Sequence, residues 1–588
     1  MVRRNLSLNR GRDSAPPLGR SPTPPFDGPI EPEQLLQSLR PMAPSAPSSL
    51  LVLVLVFFFF AITMVILPLS LLALPLSDCS SCPSYAAAEA APSTTTITST
   101  EAEAEGDEQL KRSSFPKSFI FGTASSAYQV EGAANQDGRG PSIWDTFLRQ
   151  PGLQPNNGTA DVTADQYHRY KEDLDLMADF NFDAYRFSIS WSRIFPNGTG
   201  EVNWKGVDYY NRLINYMLEK GITPYPNLNH YDLPQALQDR YGGWLNRHVV
   251  KDFADYADFC FKTFGDRVKN WQTFNEPRVV AALGYDNGLF APGRCSKAFG
   301  NCTEEGNSGT EPYIVAHNLI LCHASAAQRY RQKYQQTQKG RIGILLDFTW
   351  YEPLTRSKAD NYAAQRARDF HLGWFLHPLV YGEYPKTMQN IVGERLPKFT
   401  KEEVGMVKGS ADFVGLNQYT SFYIYDPRQA NTAAAAAAAH SLSYQKDSNV
   451  GIAYERRGVP IGPRANSYWL YIVPWGIYKS VNYIKERYGN PTVILAENGM
   501  DQAGNLSLHE SLHDDTRIKY YRSYLGWLKK GIDEGANVVG YFQWTFVDNF
   551  EWRLGYTSRF GIVYVDFKTL RRYPKMAAYW FKKFQERR

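Results

Sequence analysis

The chain has 588 residues and a net charge of +5, and aromatic residues make up 14% of it, with 13 Trp and 38 Tyr. This charge is small for the length, and no Lys/Arg run is interleaved with aromatic residues, so the composition argues against nucleic-acid binding. The length allows a large buried core. The aromatic excess suits either that core or a cleft that stacks on flat ligands.

The first 114 residues differ in composition from the rest. Residues 1–49 are rich in Pro, Ser and Arg, which predicts a disordered leader. Residues 50–76 are apolar and long enough to span a bilayer, as either the core of a cleaved signal peptide or a retained signal anchor. Residues 77–114 predict a flexible linker. The Arg-rich leader would stay cytosolic, with the globular region across the membrane in an extracellular or vacuolar space.

Cysteine and sequon positions fit a secretory route. Cys295 and Cys302 lie close together in a Gly/Asn/Ser-rich stretch, which predicts a small disulfide loop. Cys260 and Cys322 lie in apolar helical patterns, so we expect them to be buried thiols. Glycosylation sequons occur at Asn157, Asn197, Asn301 and Asn505.

Within residues 115–588, short apolar runs alternate with long amphipathic patterns. The apolar runs predict eight strands: Phe119–Thr123, Asp183–Ser188, Thr223–Asn229, Asn270–Asn275, Gly343–Phe348, Phe413–Asn417, Thr492–Glu497 and Val538–Trp544. Helices are predicted between them, as at Tyr209–Lys220, Val249–Phe264, Tyr313–Gln335 and Asp515–Gly531. This alternation predicts an α/β fold, a single (β/α)8 TIM barrel with long βα loops. A doubly wound sheet is the alternative, but no Gly-rich phosphate loop follows an early strand.

Two glutamates occupy the ends of predicted strands. Glu276 ends the fourth strand and Glu497 ends the seventh. A carboxylate at the end of a buried strand is costly unless its charge or proton is needed there. Active sites of TIM barrels lie at the C-terminal ends of the strands, so both side chains would face one cup. Two facing carboxylates suit cleavage of a glycosidic bond.

Polar and aromatic residues also stand at the other strand ends: Gln129, Arg186, His230, Asn417, Tyr419, Trp544, Glu551 and Trp552. Taken singly, such a His, Arg or Trp is more often structural than functional. Taken together, they offer the hydrogen bonds and the stacking surface that a hydroxyl-rich ring requires. No His/Asp/Glu pair has metal-ligand spacing and no G-x-S-x-G elbow occurs, so we expect neither a metal nor a cofactor.

Four motifs occur in a fixed order along the chain. Phe121–Gln129 forms an amino-terminal signature, Thr273–Pro277 reads Thr-Phe-Asn-Glu-Pro, Leu495–Gly499 reads Leu-Ala-Glu-Asn-Gly, and Asp548–Gly561 forms a carboxy-terminal signature. In these motifs the chain resembles the glycoside hydrolase family 1 β-glucosidases, and the plant secretory branch most closely. The resemblance covers roughly residues 115–584.

This resemblance implies a retaining β-glucosidase that hydrolyses terminal β-D-glucosyl residues of small glucosides or oligosaccharides through a covalent glucosyl-enzyme. Glu276 would be the acid/base and Glu497 the nucleophile, with Arg186 and Tyr419 supporting the nucleophile. Trp469 would stack on the aglycone. The remaining substrate contacts are implied for Gln129, His230, Asn275, Tyr419, Trp544, Glu551, Trp552 and Phe560.

Two positions depart from the family pattern. Ala496 replaces the usual Thr before the nucleophile, and Tyr231 stands where many members have Trp. A transglucosidase that uses the same intermediate remains an alternative, and a catalytically weak carbohydrate-binding barrel is a more distant one. The sequence names neither the natural aglycone nor the oligomeric state.

Overall fold

The computed structural model describes residues 110–587, except residue 301 and residues 430–441. The predictions for residues 1–49, for residues 50–76 and for most of the linker therefore lie outside the described residues. In the part of the chain that is described, no helix is both long and apolar enough to cross a bilayer.

Eight parallel strands close into a barrel, in which each strand pairs with its neighbours in chain order and the last pairs with the first. The strands are β1 (Ile120–Ala124), β2 (Ala184–Ser188), β3 (Thr223–Asn229), β4 (Asn270–Asn275), β5 (Arg341–Asp347), β6 (Phe413–Asn417), β7 (Val493–Asn498) and β8 (Val538–Trp544). Ala124 lies opposite Trp544 where β1 meets β8. The predicted (β/α)8 TIM barrel is thus confirmed, and each predicted strand end is within two residues of the observed one.

Each barrel strand is followed by a long helix: α1 (Gln166–Asp179), α2 (Trp204–Glu219), α3 (His248–Phe264), α4 (Glu311–Tyr330), α5 (Trp374–Tyr381), α6 (Trp475–Tyr488), α7 (Asp515–Asp533) and α8 (Met576–Phe584). In α2, the apolar residues Tyr210, Leu213 and Met217 recur at helical spacing and form its buried face. The predicted helix Tyr313–Gln335 is observed as α4 followed by a π-helical segment, Arg331–Gln335.

The βα loops are long and carry structure of their own. Helix Pro277–Tyr285 follows β4 directly, and helix Lys358–Arg368 lies in the loop after β5. Strands Trp350–Pro353, Ser421–Tyr425 and Gly451–Ala453 form a separate three-stranded sheet. These insertions lie in the loops that follow the C-terminal ends of the barrel strands, and the eight-stranded barrel stays closed.

The disulfide prediction is confirmed, because Cys295 and Cys302 are bonded in the loop after β4. Cys260 and Cys322 are buried free thiols, as expected. Three sequon asparagines, Asn157, Asn197 and Asn505, are exposed and accessible to modification, and the fourth, Asn301, lies outside the described residues.

Candidate active site

A cleft of about 510 Å³ opens at the C-terminal ends of the barrel strands, and both Glu276 and Glu497 line it. The strand pairing is irregular at both glutamates. The register between β4 and β5 shifts after Gln272, and the register between β7 and β6 shifts after Leu495. Such irregularities redirect side chains at the rim of a barrel. The regular hydrogen-bond pairing between strands is therefore interrupted next to the two carboxylates that line the cleft.

Glu497 is buried and is held by two donors. Arg186, from β2, donates to Oε1, and the Tyr419 hydroxyl donates to Oε2 over 2.7 Å. Burial raises the pKa of Glu497 above its ordinary value, and the Arg186 charge and the hydrogen bonds from Arg186 and Tyr419 oppose this rise. These contacts favour a carboxylate that is ionised and fixed in orientation.

Glu276 has a different environment. The Tyr231 hydroxyl donates to its Oε2, and Asn417 Nδ2 donates to its Oε1 over 2.8 Å, but no cationic side chain of the described residues contacts it. Burial, followed by the charges of Glu497 and Asp347, raises the pKa of Glu276 to about 8. Glu276 is therefore protonated at neutral pH, which is the form that a general acid requires.

Amide side chains connect the two glutamates. Besides its contact with Glu276, Asn417 Nδ2 donates to Asn275 Oδ1 over 3.0 Å. Arg186 Nη2 donates to the same Asn275 oxygen over 2.6 Å. Glu276 is therefore linked to Glu497 through Asn417, Asn275 and Arg186.

His230, at the end of β3, extends this network. Asn275 Nδ2 donates to His230 Nε2 over 3.0 Å. Burial and the nearby Arg186 charge hold the pKa of His230 well below its ordinary value, so the ring is neutral. It stacks between Trp544, at 5.7 Å and 18°, and Trp552, at 5.9 Å and 12°.

The opposite wall is built by Gln129 and the loop after β8. Gln129 Nε2 donates to Glu551 Oε2 over 3.2 Å and to Asn549 Oδ1 over 3.3 Å. Burial, with the charges of Asp501 and Glu497, raises the pKa of Glu551 well above its ordinary value. Gln129 lies beneath the cleft surface and orients the Glu551 carboxyl within it.

The structure brings the predicted substrate and catalytic residues together. Nine of them line the cleft: His230, Glu276, Tyr419, Trp469, Glu497, Trp544, Glu551, Trp552 and Phe560. Gln129, Arg186 and Asn275 lie behind this surface and contact it through hydrogen bonds. Trp469 and Phe560 pack edge-on against Tyr419, at 5.8 and 6.1 Å between ring centroids.

Ala496 takes no part in the cleft surface. Its side chain is buried beside β6, where a Cβ added to Gly415 would lie 3.1 Å from the Ala496 Cβ. The departure at this position therefore changes the packing between β6 and β7 behind the nucleophile.

Sequence reasoning missed several cleft residues. Asp347 ends β5 and lines the cleft beside Arg278, which follows Glu276 by two positions. The signal for Asp347 was present, because it stands at a strand end like the glutamates. Leu283, Leu289 and Phe290 come from the loop after β4, where no sequence pattern points toward the cleft.

Within the described ranges, no group of three or more His, Cys, Asp or Glu side chains is arranged to hold a metal ion. The cleft instead combines a protonated carboxyl, an ionised carboxyl, and a wall of hydrogen-bonding and aromatic groups. This set can transfer a proton and attack an electrophilic carbon in the same step.

Comparison with known proteins gives a consistent picture. Residues 111–588 match the model of glycosyl hydrolase family 1. The chain is 72% identical over 478 residues to beta-glucosidase 44 of Arabidopsis thaliana, covering 81% of this chain and 92% of that protein. It is 69% identical over 473 residues to beta-glucosidase 1 of Oryza sativa subsp. japonica, covering 80% and 89%.

Solved structures agree with this result. A rice beta-glucosidase mutant in a covalent complex with Glc from GA4GE has 52% identity and a TM-score of 0.78, covering 81% of this chain and 100% of that one. A beta-glucosidase from the fungus Humicola insolens in complex with glucose has 40% identity and a TM-score of 0.76, covering 81% and 98%. With the family model matching the whole barrel region and the two carboxylates in one cleft, the chain belongs to glycosyl hydrolase family 1.

Proposed function

We propose that this family 1 enzyme is a retaining β-glucosidase, which hydrolyses terminal non-reducing β-D-glucosyl residues through a covalent glucosyl-enzyme. The observation that carries the proposal is the contrast between the two cleft glutamates. Glu497 is held by Arg186 and Tyr419, whereas Glu276 has a pKa raised to about 8 and no cationic partner. The beta-glucosidase names of the plant relatives support the same reaction.

In the first step, Glu497 attacks the anomeric carbon and the bond to the leaving oxygen breaks. Glu276 gives its proton to that oxygen, so the aglycone departs as a neutral alcohol. The bond formed joins the sugar to a Glu497 oxygen. Tyr419, which donates to the other oxygen of Glu497, keeps the carboxylate aligned during the attack.

In the second step, Glu276 is a carboxylate and accepts a proton from water as that water attacks the anomeric carbon. The bond to Glu497 breaks, and glucose leaves with its original configuration. Retaining enzymes hold their carboxyls about 5–5.5 Å apart, and inverting enzymes about 6.5–9.5 Å. The short chain of hydrogen bonds that joins Glu276 to Glu497 through Asn417, Asn275 and Arg186 supports the closer arrangement.

The glucose ring is recognised by the buried network around the nucleophile. Gln129, His230, Asn275 and Glu551 supply donors and acceptors for the hydroxyls, and Trp544 and Trp552 supply apolar faces. Because these groups are already bonded to one another, little reorganisation is needed when the sugar binds. Trp469 and Phe560 flank Tyr419 toward the aglycone.

The catalytic assignment is tested by replacing each glutamate with its amide. Glu276→Gln and Glu497→Gln should each lower kcat for an aryl β-glucoside by roughly 10³-fold or more, because each removes an essential group from the reaction. Asp173→Asn is the matched control, since Asp173 is a buried carboxylate that pairs with Arg572 outside the cleft. Near-normal turnover in either glutamate variant would contradict the assignment.

The nucleophile role has its own test. In Glu497→Gly, azide should occupy the space of the missing carboxylate and form the α-glucosyl azide, a product with inverted configuration. Proton NMR of the product identifies the anomer. A β-configured azide product would instead point to a nucleophile other than Glu497.

We also infer that the barrel works in a secretory compartment. The disulfide between Cys295 and Cys302 and the exposed sequons at Asn157, Asn197 and Asn505 support this inference. Whether residues 50–76 are cleaved or retained is tested by carbonate extraction of the full-length protein. Release into the soluble fraction would contradict a retained membrane anchor.

A further inference from the structure

Asp347 lines the cleft at the end of β5, and its two carboxylate oxygens have different surroundings. Oδ2 accepts from Arg278 Nε over 2.7 Å and from Arg278 Nη2, and it lies 2.7 Å from His371 Nε2. The other ring nitrogen of His371 lies 2.7 Å from the Tyr351 hydroxyl, which orients the imidazole. Among the described residues, no group hydrogen-bonds to Oδ1.

This carboxylate is charged. Burial alone would raise the pKa of Asp347, but the Arg278 charge and the hydrogen bonds from Arg278 and His371 hold it below its ordinary value. The side chain is 13% exposed, so it is largely withdrawn from bulk water. All the protein donors bind Oδ2. Oδ1 is therefore free to accept a charge-assisted hydrogen bond from a ligand in the cleft.

The order of the strands places Asp347 on the leaving-group side of the reaction centre. Gln129, His230 and Trp544, which surround the glucose ring in the proposed function, follow β1, β3 and β8. Glu276, which protonates the leaving oxygen, follows β4. Asp347 ends β5, which is the neighbour of β4 on the side away from β3 and His230.

The groups around Asp347 explain why its free oxygen matters. Leu283, Phe348 and Trp469 line the same cleft and offer apolar or aromatic contacts. A purely apolar aglycone in this space would cover the charged oxygen without replacing its bond to water, which costs about 1–3 kcal/mol or more for a charged group. A hydroxyl group at this point would replace that water.

We propose that Asp347 is a specificity-determining residue, whose Oδ1 accepts a hydrogen bond from a hydroxyl of the aglycone and thereby selects leaving groups that are themselves sugars or polyols. This inference rests on the proposed β-glucosidase function, because it assigns the aglycone side from the role of Glu276. The contact forms in the substrate complex, adjacent to the leaving oxygen.

The test compares two substrates in Asp347→Asn. The leaving group of cellobiose is a sugar with several hydroxyls. The leaving group of cyclohexyl β-glucoside is cyclohexanol, a six-membered ring whose only hydroxyl is the one that forms the glycosidic bond. Arg278 and His371 select the amide oxygen of the new side chain, so its NH2 group faces the cleft in place of the charged acceptor. The ratio of kcat/KM for cellobiose to that for cyclohexyl β-glucoside should fall by about tenfold.

The ratio of the two kcat/KM values distinguishes loss of the Asp347–hydroxyl contact from a change in the general acid Glu276. The Asp347 charge also raises the pKa of Glu276, so its loss changes proton donation to both alcohols together. A ratio within twofold of that of the unaltered enzyme would overturn the proposal. Asp173→Asn, which removes a buried Arg-paired carboxylate away from the cleft, should leave the ratio unchanged.

A second measurement uses the unaltered enzyme and does not depend on the folding of any variant. With an aryl β-glucoside as donor and equal concentrations of glucose and cyclohexanol as acceptors, transfer to glucose should exceed transfer to cyclohexanol several-fold. Equal transfer, or a preference for cyclohexanol, would overturn the Asp347 contact while leaving the proposed function intact. Failure of the unaltered enzyme to hydrolyse any β-glucoside would contradict the proposed function itself.

Discussion

The two sides of the cleft are built differently. On the glucose side, Gln129, Arg186, His230 and Asn275 are each no more than 2% exposed. Asn275 is hydrogen-bonded to Arg186 and His230, and Gln129 is hydrogen-bonded to Glu551. On the aglycone side, the wall consists of partly exposed residues from the inserted loops: Leu283, Leu289, Phe290, Trp469 and the 67% exposed Tyr468. The first side is a preorganised polar network, and the second is a mainly apolar surface with Asp347 and Arg278 as its charged pair.

This difference follows from the origin of the residues. Those on the glucose side stand at or next to the ends of barrel strands, where the closed ladder fixes the backbone and each polar group finds a partner. Those on the aglycone side come mostly from long loops that can vary without opening the barrel. We therefore expect substitutions on the glucose side to change activity toward every β-glucoside, and those on the aglycone side to change the choice among them.

The largest effect should come from Arg186→Met. This change leaves Glu497 as a buried carboxylate without its cation, a loss of about 3–5 kcal/mol that corresponds to roughly a 10²–10⁴-fold fall in kcat/KM. Arg186 lowers the pKa of Glu497, so its removal raises that pKa. Because Glu497 acts when ionised, the acidic limb of the pH profile should move to higher pH. Arg572→Met, which breaks a buried pair outside the cleft, is the control.

Gln129→Leu should have the next largest effect. It removes the donor to Glu551 and leaves that carboxyl unoriented, so kcat/KM should fall by roughly 10–100-fold, in line with about 1–3 kcal/mol for a buried polar group that loses its hydrogen-bond partner. The loss should be similar for aryl glucosides and cellobiose, because both present the same glucose ring. Gln166→Leu is the control, since Gln166 is a buried glutamine bonded to Asp173 and Tyr185 away from the cleft. A fall in kcat/KM for only one of the two substrates would contradict the assignment of Gln129 to the glucose side of the cleft.

Tyr231→Phe tests the boundary between the two sides. Burial raises the pKa of Glu276 to about 8, and the hydrogen bond from Tyr231 opposes that rise. Glu276 acts when protonated, so kcat/KM falls as the pH increases through this pKa. Without the hydroxyl donor the pKa rises further, and the alkaline limb should move up by about half to one pH unit.

A kcat/KM profile from pH 5 to pH 10 measures this shift. Tyr285→Phe is the control, because Tyr285 is a buried tyrosine whose hydroxyl has no hydrogen-bond partner among the described residues. An alkaline limb that moves to lower pH in Tyr231→Phe would show that the hydroxyl stabilises the protonated acid instead.

Tyr468→Ala should have the smallest effect. The side chain is 67% exposed at the cleft mouth, so truncating it should change kcat/KM for an aryl β-glucoside by less than about threefold. The change should appear in KM for substrates with long aglycones, because only these reach the rim. Tyr579→Ala, at a 57% exposed tyrosine of α8, controls for surface truncation. A large fall in kcat would show that Tyr468 acts in the chemical step and would contradict its assignment to the cleft mouth.

The strand pattern predicted the barrel closely because parallel strands are buried on both faces and appear as short continuous apolar runs. Glu276 and Glu497 were identified for the same reason, since a carboxylate interrupts such a run visibly. Asp347 is also at a strand end, but its strand was predicted to extend through Phe348, so the charge appeared to lie within the strand. Phe290 had no distinguishing signal, because an aromatic residue in a loop is most often packing.

The amino-acid sequence by itself determined the barrel and the two carboxylates at its strand ends, and it predicted the set of groups that we propose to surround the glucose ring. Periodicity and motifs are local properties of the chain, and the closed barrel follows from them. Only the tertiary structure decided which groups meet across the cleft: Tyr231 with Glu276, Asn417 with Glu276 and Asn275, and three donors with a single oxygen of Asp347. Those contacts join residues from different strands, and their distances depend on how the strands and loops pack together.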